Sequence, residues 1–346
     1  MSGGVAILTP FAFPSVRGNA ITVERITRGL ADRGLAVRIF DLSVTPEARI
    51  ETEIDAARPA LIHAFHAYRA GPLGLRLARR AEIPLVLTLT GTDANHDLFD
   101  AERAPVVRRV LEGAAAIVAF HDSIAVRVTA VLPDVGARLV VVPQAARLGE
   151  QPYDLAGRWL LPAGRVLFLF PGGIRPVKRP RFPLEPFRRL AVRHPTVRLA
   201  YAGPILDPDE GEALLHEIRR WPWARHLGAV PHERIASLMR QSDVVLNCSQ
   251  SEGGMANAVL EALVVGRAVL AADIEGNRSL VEDGVTGLLF RDPDDFVATA
   301  ERLIVDPGLR SRLGRAGQER VLRDYPESRE IDGYLALYRR FVAVPV

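Results

Sequence analysis

The sequence predicts an α/β fold made of two doubly wound domains that face each other across a cleft. Short β-branched runs alternate with helical patterns, the order expected of parallel sheets covered by helices. A polar, irregular stretch from Pro143 through Gly164 interrupts this alternation, and a strand pattern restarts at Arg165. We therefore place the domain boundary in that stretch, with a first domain over 1–150 and a second over 151–327.

Composition limits the class of protein. The 346 residues, 48% hydrophobic and 25% charged, are typical of a globular chain long enough for two domains. A net charge of +3 without a run of five like charges argues against a nucleic-acid partner. The single cysteine, Cys248, excludes an internal disulfide and fits a reducing compartment. Because no targeting segment is visible, we expect a cytoplasmic location.

The first predicted strand, over 5–8, opens the first domain. The loop after this strand lacks a Gly-x-Gly-x-x-Gly fingerprint, which disfavours a nicotinamide dehydrogenase. Instead, Gly18 and Asn19 precede a helical pattern over 20–31. From the residues alone, this pair fits a simple turn and helix N-terminus as well as it fits a ligand loop.

Polar side chains come after two later strands of this domain, over 60–63 and 83–90. The carboxyl ends of parallel strands face the ligand crevice, so these positions are candidates for function. His66 is one candidate, and its alternative is a histidine satisfied by the backbone of its own turn. Asp93 and Asn95 are the others, and a turn role is the alternative for Asp93. The domain continues through strand patterns over 114–120 and 139–142.

Lys178 is the only lysine among the 44 basic residues of the chain. It lies beside Arg175, on the loop that leaves the predicted strand over 165–170. A compact, strongly hydrated charge suits a phosphate, so the pair predicts an anion site. The alternative is chance survival of one lysine in an arginine-biased composition.

A glycine loop joins the predicted strand over 243–247 to a helix over 258–265. Gly253 and Gly254 allow close approach of the backbone to a ligand, and helix amides beginning near Gly254 favour an anion. Glu261, about one turn into the helix, is placed to accept two hydroxyl hydrogen bonds, as from a ribose. This strand, loop and helix therefore predict a nucleoside diphosphate site.

This region resembles the nucleotide-sugar half of retaining glycosyltransferases of family 4 (glycosyl transferases group 1). The resemblance rests on two glutamates, Glu252 and Glu261, and on the segments 266–271 and 284–290. A wider set of short segments resembles the glycosyltransferase 1 domain-containing protein 1-like branch of this family. These segments are 18–19, 66–69, 91–95 and 251–253. Similarity to bacterial selenosugar synthases is looser. The resemblance implies a GT-B fold of two Rossmann-like domains.

The resemblance also implies roles for the candidate residues. It implies that Arg175 and Lys178 hold the donor pyrophosphate and that Glu261 holds the ribose. The further donor-binding residues that it implies are Gly18, Asn19, Asn95, Gly253, Gly254 and Met255. The implied catalytic residues are Glu252, His66 and Asp93. Two departures are visible: Glu252 and Glu261 are nine positions apart where the family usually has eight, and Thr90 stands where many members carry a histidine.

The predicted reaction moves a sugar from a nucleoside diphosphate sugar, with uridine favoured, to a soluble or small acceptor. Seventeen arginines against sixteen acidic residues over 1–150 are too small a surplus for strong membrane association. Retention is implied by the resemblance. No metal or cofactor is expected. Two acidic turns, at 207–209 and 292–294, have the Asp-x-Asp pattern of a metal motif, but neither comes after a nucleotide-binding strand, and no cluster of His, Cys and Asp has the spacing of metal ligands.

Three alternatives remain for the function: a sugar-nucleotide epimerase, a catalytically impaired sugar-nucleotide binding protein, and a selenium- or sulfur-transferring variant of the same reaction. The oligomeric state is left open. At the C-terminus, an amphipathic helix over 328–346 is expected to pack back onto the first domain through Tyr334, Leu337, Tyr338 and Phe341.

Overall fold

The computed structural model describes residues 3–15 and 17–342, which fall into two compact units. The first unit comprises Met1–Ala145, Glu252–Met255 and Tyr325–Val346. The second comprises Ala146–Ser251 and Ala256–Asp324. The first unit therefore contains the short glycine loop Glu252–Met255 as well as the C-terminal stretch.

Twelve strands and thirteen α-helices alternate along the described chain. The strands are β1 (Val5–Thr9), β2 (Val37–Asp41), β3 (Leu61–Phe65), β4 (Leu85–Thr88), β5 (Ala116–Ala119), β6 (Leu139–Val141), β7 (Val166–Pro171), β8 (Val197–Ala202), β9 (Ala224–His226), β10 (Val244–Asn247), β11 (Ala268–Ala272) and β12 (Leu288–Phe290). The helices are α1 (Gly18–Asp32), α2 (Glu47–Ala57), α3 (Gly71–Ala81), α4 (Ala104–Gly113), α5 (Asp122–Val131), α6 (Leu184–Arg193), α7 (Pro208–Ile218), α8 (His232–Gln241), α9 (Asn257–Val264), α10 (Glu275–Arg278), α11 (Pro293–Val305), α12 (Pro307–Asp324) and α13 (Glu327–Tyr338).

The sheet of the first unit is six-stranded and parallel, in the order β2-β1-β3-β4-β5-β6. Successive side chains of a strand point to opposite faces, so both faces need a cover of helices. Ile62 and Ala64 of β3 join the core that includes α2, α3 and α4, whereas Leu61 and Phe65 join the core that includes α1 and α13. The strands consequently appear in the sequence as almost continuous apolar runs.

Helix α13 packs against α1 in the first unit. Gly29 allows the close approach, because a Cβ added there would lie 2.4 Å from Cδ1 of Ile331. Tyr334, Leu337 and Tyr338 are buried, and the helix ends at Tyr338, well before the predicted end at 346. Residues 343–346 of the predicted helix lie outside the described residues.

The sheet of the second unit is also six-stranded and parallel, in the order β12-β11-β10-β7-β8-β9. A core that includes α6, α7 and α11 covers one face, and the aromatic rings of Phe168, Phe187 and Phe296 pack together in it. The opposite-facing Leu169 and Val245 are fully buried as well. The α/β fold class with two parallel, helix-covered sheets is therefore confirmed.

Each sheet contains one point at which the strand order reverses. In the first sheet the reversal lies between β1 and β3, and in the second it lies between β7 and β10. In open α/β sheets, ligands bind outside the carboxyl ends of the strands at such a reversal. None of the helices within 3–15 and 17–342 combines the length and apolar character needed to span a bilayer.

Candidate functional site

The loop that leaves β7 carries the two predicted pyrophosphate ligands. After Pro171, Gly172 adopts a φ of +144°, which a residue with a Cβ rarely adopts, and the chain turns into a 3-10 turn over Pro176–Lys178. Arg175 immediately precedes this turn and Lys178 ends it, and both side chains are half-buried. The two cations predicted from the sequence thus lie at the reversal point of the second sheet.

The segment that leaves β10 lies beside this turn, since β7 and β10 are paired neighbours. The backbone N–H of Gln250 donates to the carbonyl of Val177 at 2.9 Å. This hydrogen bond ties the Lys178 turn to the residues after β10. The structure therefore brings together, within the second unit, two loops that are more than seventy residues apart in the sequence.

Glu261 is held by a histidine that no sequence pattern singled out. Nε2 of His232, at the start of α8, lies 2.9 Å from Oε1 of Glu261, and the two side chains are 19% and 13% exposed. The contact orients the carboxylate at its position one turn into α9. His232 begins α8, after the edge strand β9, so its position in the sequence did not mark it as a neighbour of Glu261.

Helix α9 begins at Asn257, so its first free amides lie beyond Gly254 and not near it as expected. The reason is local, because Gly254 has a φ of +100°, which is incompatible with a right-handed helix. The expected cradle of helix amides is therefore shifted along the chain by three residues. Of the two loop glycines, Gly254 is the one that adopts a positive φ.

Cys248 comes directly after β10 and is buried. Burial raises the pKa of its thiol well above the usual value, so the thiol stays protonated at neutral pH. Since the thiolate is the nucleophilic form, Cys248 is a core residue of this strand end and not a nucleophile.

In the first unit, Gly18 and Asn19 form the first turn of α1, as the helix-start interpretation predicted. Nδ2 of Asn19 donates to Oγ1 of Thr9 at 3.2 Å, which joins the helix start to the end of β1. The preceding Arg17 stacks over the Phe11 ring at 4.0 Å, and burial together with the charge of Arg69 lowers the pKa of Arg17. Donor binding by Gly18 and Asn19 stays a prediction.

His66, just after β3, has a φ of +84°, an uncommon conformation for a residue with a Cβ. Its Nδ1 accepts from the backbone N–H groups of Tyr68 and Arg69, both at 3.3 Å. The ring lies between two buried carboxylates: Nδ1 is 3.9 Å from Asp93, and Nε2 is 3.9 Å from Asp97. One nitrogen is therefore used by the histidine's own turn, and the predicted catalytic role rests on Nε2.

Asp93 begins a π-helical turn, Asp93–Asp97, and is fully buried. Its Oδ1 accepts from the amides of Thr90 at 3.0 Å, Gly91 at 2.8 Å and Ala94 at 3.1 Å, and its Oδ2 accepts from Ala67 at 2.8 Å. Both carboxylate oxygens thus accept hydrogen bonds from backbone amides in the loops that leave β3 and β4. This geometry favours the turn role over the sugar contact that the resemblance implies for Asp93.

Asn95 likewise contacts the protein itself. Its Nδ2 donates to the carbonyl of Glu252 at 2.7 Å, and its Oδ1 accepts from the guanidinium of Arg127. Both halves of the amide are occupied, which argues against the predicted contact of Asn95 with a donor. The structure instead brings Asn95 to the glycine loop that carries Glu252.

The loop Glu252–Met255 lies against the loops that leave β4 and β5 in the first unit. A Cβ on Gly253 would lie 2.6 Å from the carbonyl oxygen of Thr90, and one on Gly254 would lie 3.2 Å from the Cβ of His121. Glu252 is half-buried, and Met255 is 3% exposed. The glycines therefore serve close backbone packing of the loop within this unit.

His63 lies within β3, three residues before His66, and is fully buried. Its Nδ1 lies 2.6 Å from the hydroxyl of Tyr338 and its Nε2 lies 2.7 Å from Oγ1 of Thr88. Burial lowers the pKa of His63 to about 3. His63 is therefore a neutral hydrogen-bonding group that links β3, β4 and α13.

The two acidic turns are helix caps. Asp207 accepts from the amide of Glu210 at 2.9 Å at the start of α7, and Asp292 accepts from the amides of Asp294 and Asp295 at the start of α11. Across the residues for which the structure gives positions, no group of three or more His, Cys, Asp or Glu side chains is arranged to hold a metal ion.

Comparison with known families matches residues 155–320 to the family model described as glycosyl transferases group 1. Glycosyltransferase 1 domain-containing protein 1 of Xenopus tropicalis is 28% identical over 327 residues, which cover 92% of this chain and 93% of that protein. D-inositol 3-phosphate glycosyltransferase of Nocardiopsis dassonvillei is 28% identical over 319 residues, which cover 85% of this chain and 73% of that protein.

Two solved structures share the fold over nearly the whole chain. Anabaena Alr3699/HepE in complex with UDP and glucose has a TM-score of 0.78 at 17% identity, with 97% of this chain and 99% of that chain covered. Sucrose-phosphate synthase from Thermosynechococcus elongatus has a TM-score of 0.78 at 19% identity, with 97% and 98% covered. At these identities the structures support the fold and leave the substrates open.

Proposed function

We propose that this chain, a glycosyltransferase by its similarity to the glycosyl transferases group 1 model and to curated glycosyltransferases, transfers a sugar from a nucleoside diphosphate sugar, with retention as in family 4. UDP is the proposed nucleotide. The acceptor is a small or soluble molecule. The reaction uses neither a metal ion nor another cofactor.

The observation that carries this proposal is the reversal point of the second sheet. Arg175 and Lys178 lie on the loop after β7, and α9 begins just beyond the segment that leaves β10. Two fixed cations and a nearby helix start would neutralise charge that develops on a departing diphosphate. Such electrostatic stabilisation is the work for which a metal ion would otherwise be needed.

Glu261 supports the nucleotide part of the proposal. Its carboxylate, oriented by His232, has the acceptor atoms that two ribose hydroxyls require. Uridine is favoured because the similar Anabaena protein has been crystallised with UDP and with UDP-glucose. The donor sugar and the acceptor atom are left open.

Retention rests on the family resemblance. We propose front-face departure and attack, in which the leaving phosphate helps to deprotonate the acceptor. Glu252 then contacts the donor sugar in the transition state, and His66 contributes through Nε2. A soluble or small acceptor, as opposed to a bilayer lipid, agrees with the balanced charge of 1–150.

The test is incubation of the protein with a panel of UDP- and GDP-sugars and a panel of small acceptors, with product detection by mass spectrometry. Transfer that persists in EDTA supports the metal-free reaction, and transfer abolished by EDTA contradicts it. Two further results distinguish the alternatives. An altered sugar after incubation with donor and buffer alone indicates an epimerase. Tight donor binding without turnover for any acceptor indicates an impaired binding protein.

Two glutamate variants assign the roles. We expect Glu252→Gln to lower kcat much more than donor affinity, because its contact strengthens in the transition state. Glu261→Gln should mainly weaken donor binding. Equal losses of affinity and turnover in both variants would show that the family roles do not apply to this loop.

A further inference from the structure

Two side-chain amides hold the two ends of the Glu252–Met255 loop. Nδ2 of Asn95 donates to the carbonyl of Glu252 at 2.7 Å, and Nε2 of Gln144 donates to the carbonyl of Met255 at 3.3 Å. Both amides and the whole loop belong to the first unit. The residue proposed to touch the sugar is thus attached at the first of these two points.

The orientation of the Gln144 amide is fixed by its neighbours. Its Oε1 accepts from Oγ1 of Thr22 at 3.0 Å and from Nη2 of Arg25 at 3.3 Å. A guanidinium has donors only, so the amide oxygen must face Arg25, and the NH₂ group must face the loop. The backbone N–H of Gln144 also lies 3.2 Å from Sδ of Met255, and Gln144 is 3% exposed.

A buried ion pair in turn fixes Arg25. Its Nε and Nη2 bind the two carboxylate oxygens of Glu330 on α13 at 2.7 and 2.8 Å, and both residues are almost fully buried. A two-point contact of this kind defines the plane of the guanidinium. The chain of contacts therefore runs from α13 through Arg25 and Gln144 to Met255.

The Asn95 end repeats the same arrangement. The guanidinium of Arg127 binds Oδ1 of Asn95, so the oxygen faces the arginine and the NH₂ group faces the loop. Between the two ends, Gly91 and Gly253 approach so closely that a Cβ on Gly91 would lie 2.6 Å from Cα of Gly253. Backbone packing and two oriented amides together restrain the loop.

We propose that Asn95 and Gln144 are positioning residues that hold the Glu252–Met255 loop, each oriented by its own arginine. The proposal rests on the proposed function in one respect, since an effect on catalysis requires that Glu252 contacts the donor sugar. Loss of either amide bond frees one end of the loop and misplaces Glu252. Donor binding in the second unit has its own ligands and is little affected.

The test compares Gln144→Met with Gln318→Met, and repeats the measurement on Asn95→Leu. Gln318 is a matched control, because its Nε2 also donates to a backbone carbonyl, that of Val264, at 2.7 Å, but in the second unit. Hydrogen–deuterium exchange of peptides that cover the loop reports its order without any substrate. Calorimetry with UDP and steady-state kinetics with the active donor complete the comparison.

We expect loop amides to exchange about fivefold faster in Gln144→Met and in Asn95→Leu, the factor that corresponds to one net hydrogen bond, and to exchange as in wild type in Gln318→Met. We expect kcat to fall roughly tenfold in the two loop variants, with UDP affinity and donor KM within about twofold of wild type. Reduced protein stability alone would not produce this split between kcat and KM.

The exchange and kinetic results separate two kinds of failure. Loop exchange at the wild-type rate in both Gln144→Met and Asn95→Leu overturns the positioning role, whatever the activity. Wild-type protein that transfers sugar from no donor overturns the proposed function, while faster loop exchange in the variants still supports the structural part. Faster exchange with an unchanged kcat shows that the loop position does not matter for turnover, which also overturns the proposal.

Discussion

The strand ends of the two units use their polar residues differently. In the second unit, Arg175, Lys178 and Glu261 project from loops and a helix turn as half-buried side chains. In the first unit, Asp93 and Asn95 are bonded to the chain's own backbone. Position at a strand end is therefore not enough to assign a ligand contact, because a strand end also needs side chains that satisfy its turning backbone.

The comparison predicts that substitutions in the first unit lower stability or loop order, whereas substitutions in the second lower donor affinity.

The largest expected effect is that of Asp93→Ala. Four backbone N–H groups, three of them buried, lose their acceptor. Each buried loss costs about 1–3 kcal/mol, so we expect the free energy of unfolding to fall by about 3 kcal/mol or more. Urea unfolding measures this loss.

Asp100→Ala is the control for this prediction. Asp100 also accepts from two backbone amides, those of Glu102 and Arg103, both at 3.0 Å, but it is exposed. Water can replace that acceptor, so we expect the free energy of unfolding to fall by less than about 1 kcal/mol. Similar losses for Asp93→Ala and Asp100→Ala would remove the structural role assigned to Asp93.

The second prediction concerns the other side of the comparison. Lys178→Ala should weaken donor binding by about 1.5–3 kcal/mol, roughly ten- to hundredfold, the range for a charge-assisted hydrogen bond. The free energy of unfolding should change little, because the side chain is only half-buried. Isothermal calorimetry with UDP measures the affinity.

Arg189→Ala is the matched control, since it removes a cation of the same unit whose side chain is 39% exposed and pairs with Asp294. We expect UDP affinity within about twofold of wild type in this variant, because exposed charges are screened by salt. An unchanged affinity in Lys178→Ala would support the alternative that the single lysine is a matter of chance.

The fold class could be predicted because alternating apolar runs and helical patterns are local signals. The placement of Arg175, Lys178 and Glu261 could be predicted for a related reason, because each lies at a fixed offset from a strand or helix that the pattern locates. Their contacts with a donor stay predictions. The sequence leaves both a sugar contact and a turn role open for Asp93 and predicts a donor contact for Asn95, because it does not show which backbone groups a polar side chain will meet. The buried contacts of Arg25, Gln144 and Glu330 join residues up to 305 positions apart, and no local pattern indicates them.

The third prediction concerns His63, which the first unit keeps neutral. The unfolded imidazole takes up a proton below about pH 6.5, whereas the folded one, with a pKa of about 3, does not. The unfolded state therefore binds more protons between these values, and stability is lost as the pH falls from 6.5 towards 3. We expect a loss of about 1.4 kcal/mol for each pH unit in this window from His63 alone.

Urea unfolding of His63→Gln between pH 6.5 and 4 checks this slope. Glutamine does not titrate, so the dependence of unfolding free energy on pH should become shallower than in wild type. His216→Gln, which removes an exposed histidine of the second unit, should leave the slope as it is. A slope that is unchanged in His63→Gln would show that other groups dominate acid unfolding.

The smallest expected effect belongs to the contact between His232 and Glu261. His232→Gln removes an imidazole that lies 2.9 Å from the carboxylate and restricts its rotation, so part of the ordering must then occur when the donor binds. We expect UDP affinity to fall by about 0.5–1.5 kcal/mol, the net value of one hydrogen bond.

His194→Gln is the control, because Nε2 of His194 lies 2.8 Å from Glu301 in a similar pair of the same unit that is not at the reversal point. Equal changes in UDP affinity for the two variants would mean that His232 does not act through Glu261. A loss confined to His232→Gln, and absent when Glu261→Gln is already present, would show that the histidine acts through the carboxylate.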